Sequence, residues 1–191
     1  MRLPDNAERR RSSAMADGES TQLGKGFHQD LAKHPGRSGV FLLGNGLDAC
    51  VAHALLARRA ERSIDLQYYM FHQDTVGRLL INELLAAADR GVRVLTNSLA
   101  SNDVAAVHAG YAKYRKQLLR CGVEPYELNE QIKRRQRKLF RWLPGLSKSS
   151  LHAKTMSFDK KCMFVGSFNF DQRSLYINID PFLLRNSRNN S

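Results

Sequence analysis

Residues 63–96 read SIDLQYYMFHQDTVGRLLINELLAAADRGVRVLT, and two apolar periods alternate along them. In residues 63–71, Ile64, Leu66 and Tyr68 face one way and Asp65, Gln67 and Tyr69 the other, the two-residue repeat of a strand. Residues 74–91 place Val76, Leu80, Leu84 and Ala88 four apart, which predicts a helix. Asp74 or Thr75 can cap its start, and Gly91 ends it. Residues 92–96 return to a strand pattern. A strand, helix and strand of this length predict a βαβ unit with parallel strands, hence an α/β fold.

The same reading extends outward. Residues 47–60 carry apolar positions at helical spacing. Residues 103–122 form a helix with Gly122 as its stop, and 123–128 a short strand. Residues 151–159 and 161–170 read as two strands joined at Asp159–Lys161 in a hairpin. Residues 1–37 are polar and charged, closing on HPGRSG, and are expected to be a disordered or loosely ordered tail. Met15 offers an alternative start. Residues 38–191 form the domain. Within it, 129–150 is a basic loop with seven Lys or Arg and one Glu.

A chain of 191 residues makes one domain with a real core. Its net charge of +12 predicts attraction to polyanions: nucleic acid, an anionic membrane or phosphate-bearing substrates. The plainer alternative is a solvated basic surface. Cys50, Cys121 and Cys162 are far apart, with no CxxC pair and no zinc spacing, as expected of reduced thiols in the cytosol. The first residues lack the apolar centre of a signal peptide. The longest apolar run, 41–60, is interrupted by Asn45, Asp48 and His53, so no membrane span is predicted.

The candidate chemistry lies in residues 151–174. On a strand, His152 and Lys154 share a face, and Ser167 and Asn169 share one on the next. If the two strands are neighbours, a histidine, a cation, a hydroxyl and an amide converge. The cation and neutral donors suit the nonbridging oxygens of a phosphodiester and the charge of its transition state. The histidine suits nucleophilic or acid–base work near neutral pH. No acidic pair or metal cluster accompanies it, so the expected chemistry needs no metal and no cofactor. A lone strand histidine is more often a core residue and a lone lysine a solvated one. The spacing of the whole set favours a site.

That spacing is H-x-K-x4-D-x6-G-S-x-N, filled by His152, Lys154, Asp159, Gly166, Ser167 and Asn169. It resembles the signature of the phospholipase D superfamily, the HKD phosphodiesterases. The continuation FNFDQRSLYINID and residues 39–94 resemble the cardiolipin-synthase branch, especially the type C synthases. The resemblance implies a phospholipase D-like sandwich, with a mixed, mostly parallel sheet flanked by helices, here incomplete. It implies a phosphodiesterase or phosphatidyltransferase acting on phospholipids through a phosphohistidine intermediate. His152 then matches the nucleophile, and Lys154 and Asn169 the phosphate-binding pair, with Ser167 at the hydroxyl position. Asp159 matches the motif aspartate, grouped with the catalytic set but expected to act by tying down the hairpin. Asp180 stands where the family usually has the glutamate that orients the histidine. Such a protein is expected to be cytoplasmic and peripheral to the inner membrane.

The chain departs from that pattern by carrying one complete motif. His28, His34, His53, His72 and His108 are not followed by x-K-x4-D. His53 and His108 fall in helical patterns, and His72 follows the first strand. Residues up to Val94 resemble the start of a two-motif synthase, and those from about Thr96 resemble its second half. The expectation is an internally shortened, C-terminally truncated relative. A two-fold homodimer would place two copies of His152 face to face. Lys133, Arg134, Arg135, Arg137 and Lys138, with Trp142, are the expected contacts to an anionic phospholipid or membrane surface. A solvated loop is the plainer reading. A dimeric endonuclease acting on nucleic acid is the alternative function, and an inactive remnant the third.

Overall fold

The computed structural model describes residues 18–98, 105–128, 152–177 and 180–184. In chain order the elements are α1 (Gln22–Gly26), α2 (His28–Ala32), β1 (Gly39–Leu43), α3 (Gly46–Arg59), β2 (Ile64–Tyr68), α4 (Thr75–Ala86) and β3 (Val92–Asn97). They continue with α5 (Ala105–Arg120), β4 (Glu124–Leu128), β5 (Lys154–Phe158), β6 (Cys162–Val165), α6 (Ser174–Ile177) and β7 (Asp180–Leu184). The strands form one sheet in the order β1-β7-β6-β5-β2-β3-β4. β2, β3 and β4 run parallel, joined by α4 and α5. β5, β6, β7 and β1 extend the sheet from β2 through antiparallel ladders. The sheet is mixed, and only β5 and β7 run against the other strands.

The period-two pattern of β2 buries Ile64, Leu66 and Tyr68 on one face of this sheet. Val92, Val94, Met156, Phe158, Cys162 and Phe164 continue the buried face. Against it pack Ala49, Ala54 and Ala57 of α3, Val76, Leu80 and Leu84 of α4, and Tyr111 and Leu118 of α5. Fully burying one such leucine contributes about 2 kcal/mol. The opposite face carries Asp65 accepting from Arg93 at 2.5 Å, together with Gln67, Thr155, Ser157, Met163 and Val165, none of them fully buried.

Local chemistry fixes the element ends. The Asp74 carboxylate accepts from the Gly77 backbone N–H at 2.8 Å, so Asp74 rather than Thr75 caps α4. After α4, Gly91 takes φ +77, the left-handed conformation that turns the chain into β3. β5 and β6 are joined by a tight turn in which Asp159 and Lys160 both have positive φ, 49° and 52°, and Lys161 N–H donates to Phe158 O at 2.9 Å. This turn geometry matches the right-handed twist of a hairpin.

The expectation of a loose tail over 1–37 does not hold for residues 18–32. Leu23, Phe27 and Leu31 recur four apart in an otherwise polar segment, and Leu23 and Leu31 are buried. Thr21 caps α1, accepting from Gly24 N–H at 3.1 Å while its hydroxyl donates to Gly18 O at 2.7 Å. Glu19 pairs with the buried ammonium of Lys161 at 3.2 Å. Residues 1–17 and the basic loop at 129–150 lie outside the described residues. Strands β1 and β7 were not expected either. β1 lies at the sheet edge and exposes Val40 and Leu42 at 62% and 66%.

Candidate active site

The register of three neighbouring strands brings the motif together. Tyr68 at the end of β2 pairs with Lys154 at the start of β5. Thr155 pairs with Val165 near the end of β6, and Gly166 N–H donates to Lys154 O at 3.1 Å. His152, Lys154, Gly166 and Ser167 therefore gather at one end of the sheet, beyond the carboxyl ends of β2 and β3. Open α/β sheets place their ligands at that end.

Two phenylalanines set the course of the segment after β6. Phe168 and Phe170 are buried in the core. Phe170 forms a parallel bridge with Phe71, and His72 N–H donates to Phe170 O at 2.9 Å. Gln172 N–H donates to the second carboxylate oxygen of Asp74 at 2.6 Å. The Asn169 backbone N–H donates to Ser174 Oγ at 2.9 Å. Gly77 makes this docking possible, since a Cβ there would meet His72 O at 2.0 Å and Phe170 O at 2.8 Å. The segment after β6 that carries Asn169 is thereby pinned to the loop that follows β2.

At the site itself, His152 is exposed and its ring stacks on Tyr69, with centroids 4.6 Å apart and planes 10° from parallel. Lys154 is 8% exposed, and its Nζ lies 5.8 Å from the centroid of the same Tyr69 ring. Ser167 is exposed. The Asn169 Oδ1 atom is shielded from solvent and has no hydrogen-bond partner among the described residues. A shielded amide oxygen without a partner is costly in a finished core, and the donor of the same amide is its Nδ2. Among the described residues, no three His, Cys, Asp or Glu side chains gather as a metal site.

Asp159 lies elsewhere. Five residues along an extended strand separate it from Lys154, about 17 Å at 3.3 Å per residue. Its fully buried carboxylate accepts from the backbone N–H groups of Glu61, Arg62 and Ser63 at 3.0, 2.8 and 3.1 Å. It fastens the hairpin turn to the loop that enters β2, a strand's length from Lys154. Asp180 begins β7, in register with Leu43. β7 runs antiparallel to β6, so Asp180 starts at the end of the sheet where β6 finishes, two strands from β5. Lys133, Arg134, Arg135, Arg137, Lys138 and Trp142 lie outside the described residues.

His53 is a core residue. It is 1% exposed, its Nδ1 lies 2.7 Å from Ala49 O and its Nε2 2.9 Å from the Tyr68 hydroxyl, and it stacks on Phe164 with centroids 3.9 Å apart. His72 is exposed, with Nε2 2.9 Å from Met70 Sδ. Tyr69 was not singled out from the sequence. Its alternation put it on the open face of β2, and no local pattern connects it with a histidine so far along the chain.

A mixed seven-stranded sheet flanked by helices is the architecture of a phospholipase D-like domain. The chain belongs to the family described as cardiolipin synthase, PLD-like domain, which matches residues 55–189. It is 52% identical over 102 residues to cardiolipin synthase C of Escherichia coli strain K12. That match covers 52% of this chain and 22% of the relative, so the chain spans about a fifth of that protein's length. The fold is similar to the phospholipase D family member Nuc of Salmonella typhimurium, with a TM-score of 0.50 and 17% identity over 77% of this chain and 82% of that one. It is also similar to phosphatidylserine synthase of Haemophilus influenzae, with a TM-score of 0.57 and 16% identity over 87% and 38% of the two chains.

Proposed function

We propose that this chain is a cardiolipin synthase-like phosphodiesterase or phosphatidyltransferase that acts on phospholipids through a phosphohistidine intermediate. The observation that carries the reading is the exposed imidazole of His152, held flat on Tyr69 beside the nearly buried ammonium of Lys154. One ring nitrogen of His152 attacks phosphorus, and the bond from phosphorus to the leaving alcohol oxygen breaks. Lys154, Asn169 and Ser167 stabilise the nonbridging oxygens as charge builds on them. A general acid gives the leaving oxygen its proton. Water or an incoming alcohol then displaces the phosphoryl group from nitrogen and gives up a proton to the same group, now a base. No step uses a metal ion.

One His152 cannot be both nucleophile and acid in the same cycle. The reading therefore includes a two-fold homodimer in which the second copy supplies its own His152, and symmetric pairs are the commonest oligomers. General acid catalysis contributes about 10²–10⁴-fold, so activity should depend on association. No described helix is long and apolar enough to cross a membrane. The proposed location is the inner membrane surface, approached from the cytoplasm through the basic segment at 133–138.

The test is an assay of purified protein on phospholipid vesicles in EDTA, paired with light scattering after size exclusion. Specific activity should rise with concentration and level off as dimers dominate, and His152→Ala should abolish it. Full activity in His152→Ala would overturn the assignment, and a concentration-independent monomer would overturn the shared site. The net charge of +12 also fits a dimeric endonuclease. DNA cleavage without lipid turnover in the same assays would select that function.

A further inference from the structure

We infer that Tyr69 is the positioning residue of this site: its ring sets the plane of the His152 imidazole and presents the same aromatic system to the Lys154 ammonium. This rests on the proposed reading of His152 as the nucleophile. The stack holds the two rings 4.6 Å apart and 10° from parallel. A hydrogen bond would fix the ring by occupying one of its nitrogens. A stack fixes it through the face and leaves both Nδ1 and Nε2 open at the edge. A nucleophilic histidine attacks through one nitrogen, while the other keeps its proton and stays available to a hydrogen bond that sets the tautomer.

The electronics agree with the geometry. An aromatic face is electron-rich and attracts cations within about 6 Å, and Lys154 Nζ lies at 5.8 Å. When the His152 nitrogen bonds to phosphorus, positive charge develops on the imidazole stacked on that ring. Tyr69 thus favours the charge that appears during the step as well as the ring orientation before it.

The backbone that carries Tyr69 is flanked by core residues. Its neighbour Tyr68 and nearby Phe71 are both buried, and both rings meet Phe170, at centroid distances of 4.5 and 5.0 Å. Phe170 adjoins Asn169. One aromatic cluster thereby sets the relative positions of the platform and the phosphate-binding amide, the kind of support a site needs to hold its geometry.

The experiment compares full-length wild type with Tyr69→Phe and Tyr69→Leu by NMR of the histidine ring protons, with His152 assigned by its loss in His152→Ala. Kinetics on a soluble phosphodiester accompany it. The wild-type His152 protons should be shifted upfield by the ring current. Tyr69→Phe should keep the shift and the rate. Tyr69→Leu should return the protons to unstacked positions and lower kcat by about three- to tenfold with KM little changed. Should Tyr69→Leu fail to fold, Tyr69→Gln, a polar side chain at a half-exposed position, is read in the same way. Identical His152 shifts in wild type and Tyr69→Leu would overturn the inference. So would a lost shift with unchanged kcat. An inactive wild type would overturn the proposed reaction instead, and the shift comparison alone would then decide whether Tyr69 sets the ring.

Discussion

Substitution of Asp159 separates two things that one residue does. Its backbone holds a positive φ of 49°, and its buried carboxylate takes three backbone N–H groups from residues 61–63. Asp159→Ala removes the acceptor that three backbone donors share at a partly buried turn. A hydrogen bond to a charged group contributes about 1.5–3 kcal/mol, with losses in one cluster adding incompletely. A left-handed alanine costs a further 1 kcal/mol or so relative to a residue that tolerates that region. The expected destabilisation is about 4–5 kcal/mol, a large share of a typical folding free energy. Asp159→Gly relieves the backbone but still loses the acceptor, about 3 kcal/mol by the same reckoning. Asp159→Asn keeps an acceptor and tolerates the turn, about 1–2 kcal/mol. Urea unfolding followed by circular dichroism measures all three, with unchanged slopes required for the comparison. The order Ala, Gly, Asn from worst to mildest is the result expected. If Gly were the mildest, backbone strain rather than the three hydrogen bonds would be what Asp159 relieves. Loss of Asp159→Ala activity with wild-type stability would show that the residue acts in the chemistry after all.

Three further outcomes follow from particular contacts. Gly77→Ala drives a methyl group into the His72 and Phe170 carbonyl oxygens, and overpacking of this kind costs about 1–3 kcal/mol; a wild-type urea midpoint would refute the close docking of the two loops. Ellman's reagent at pH 8 should label Cys121 quickly and leave Cys50 and Cys162 until the protein unfolds, since only Cys121 is exposed; two fast thiols would contradict the packing of the sheet. Burial pushes the Cys162 thiol up from 9.0 to about 12, so above pH 9 the unfolded chain releases this proton while the folded chain keeps it. Stability therefore declines between about pH 9 and 12, by up to about 1.4 kcal/mol per pH unit for this one proton. Cys162→Ala should flatten the decline, and an equal slope in both proteins would assign it to other groups.

Local periodicity was enough to define β2, α4 and β3, because burial on one side of a strand or helix imposes its repeat on consecutive residues. Asp74 and Gly91 mark the ends of α4 for equally local reasons, a carboxylate over the first turn and a glycine with positive φ. The hairpin at Asp159–Lys161 and the spacing of His152, Lys154, Ser167 and Asn169 were legible for the same reason. The packed segment at 18–32 was hidden by its polar composition, although Leu23, Phe27 and Leu31 carry the helical repeat. β1 and β7 could not be read locally, since each strand is defined by the other and they lie at opposite ends of the described chain. Asp159 and Tyr69 differ in the same way. Their identities are written in the sequence, but tertiary folding sent the Asp159 carboxylate to the backbone of residues 61–63 and laid Tyr69 under His152. Hydrogen bonds and ring contacts between distant segments leave no period in a chain, so only the assembled sheet decides which residues share a site.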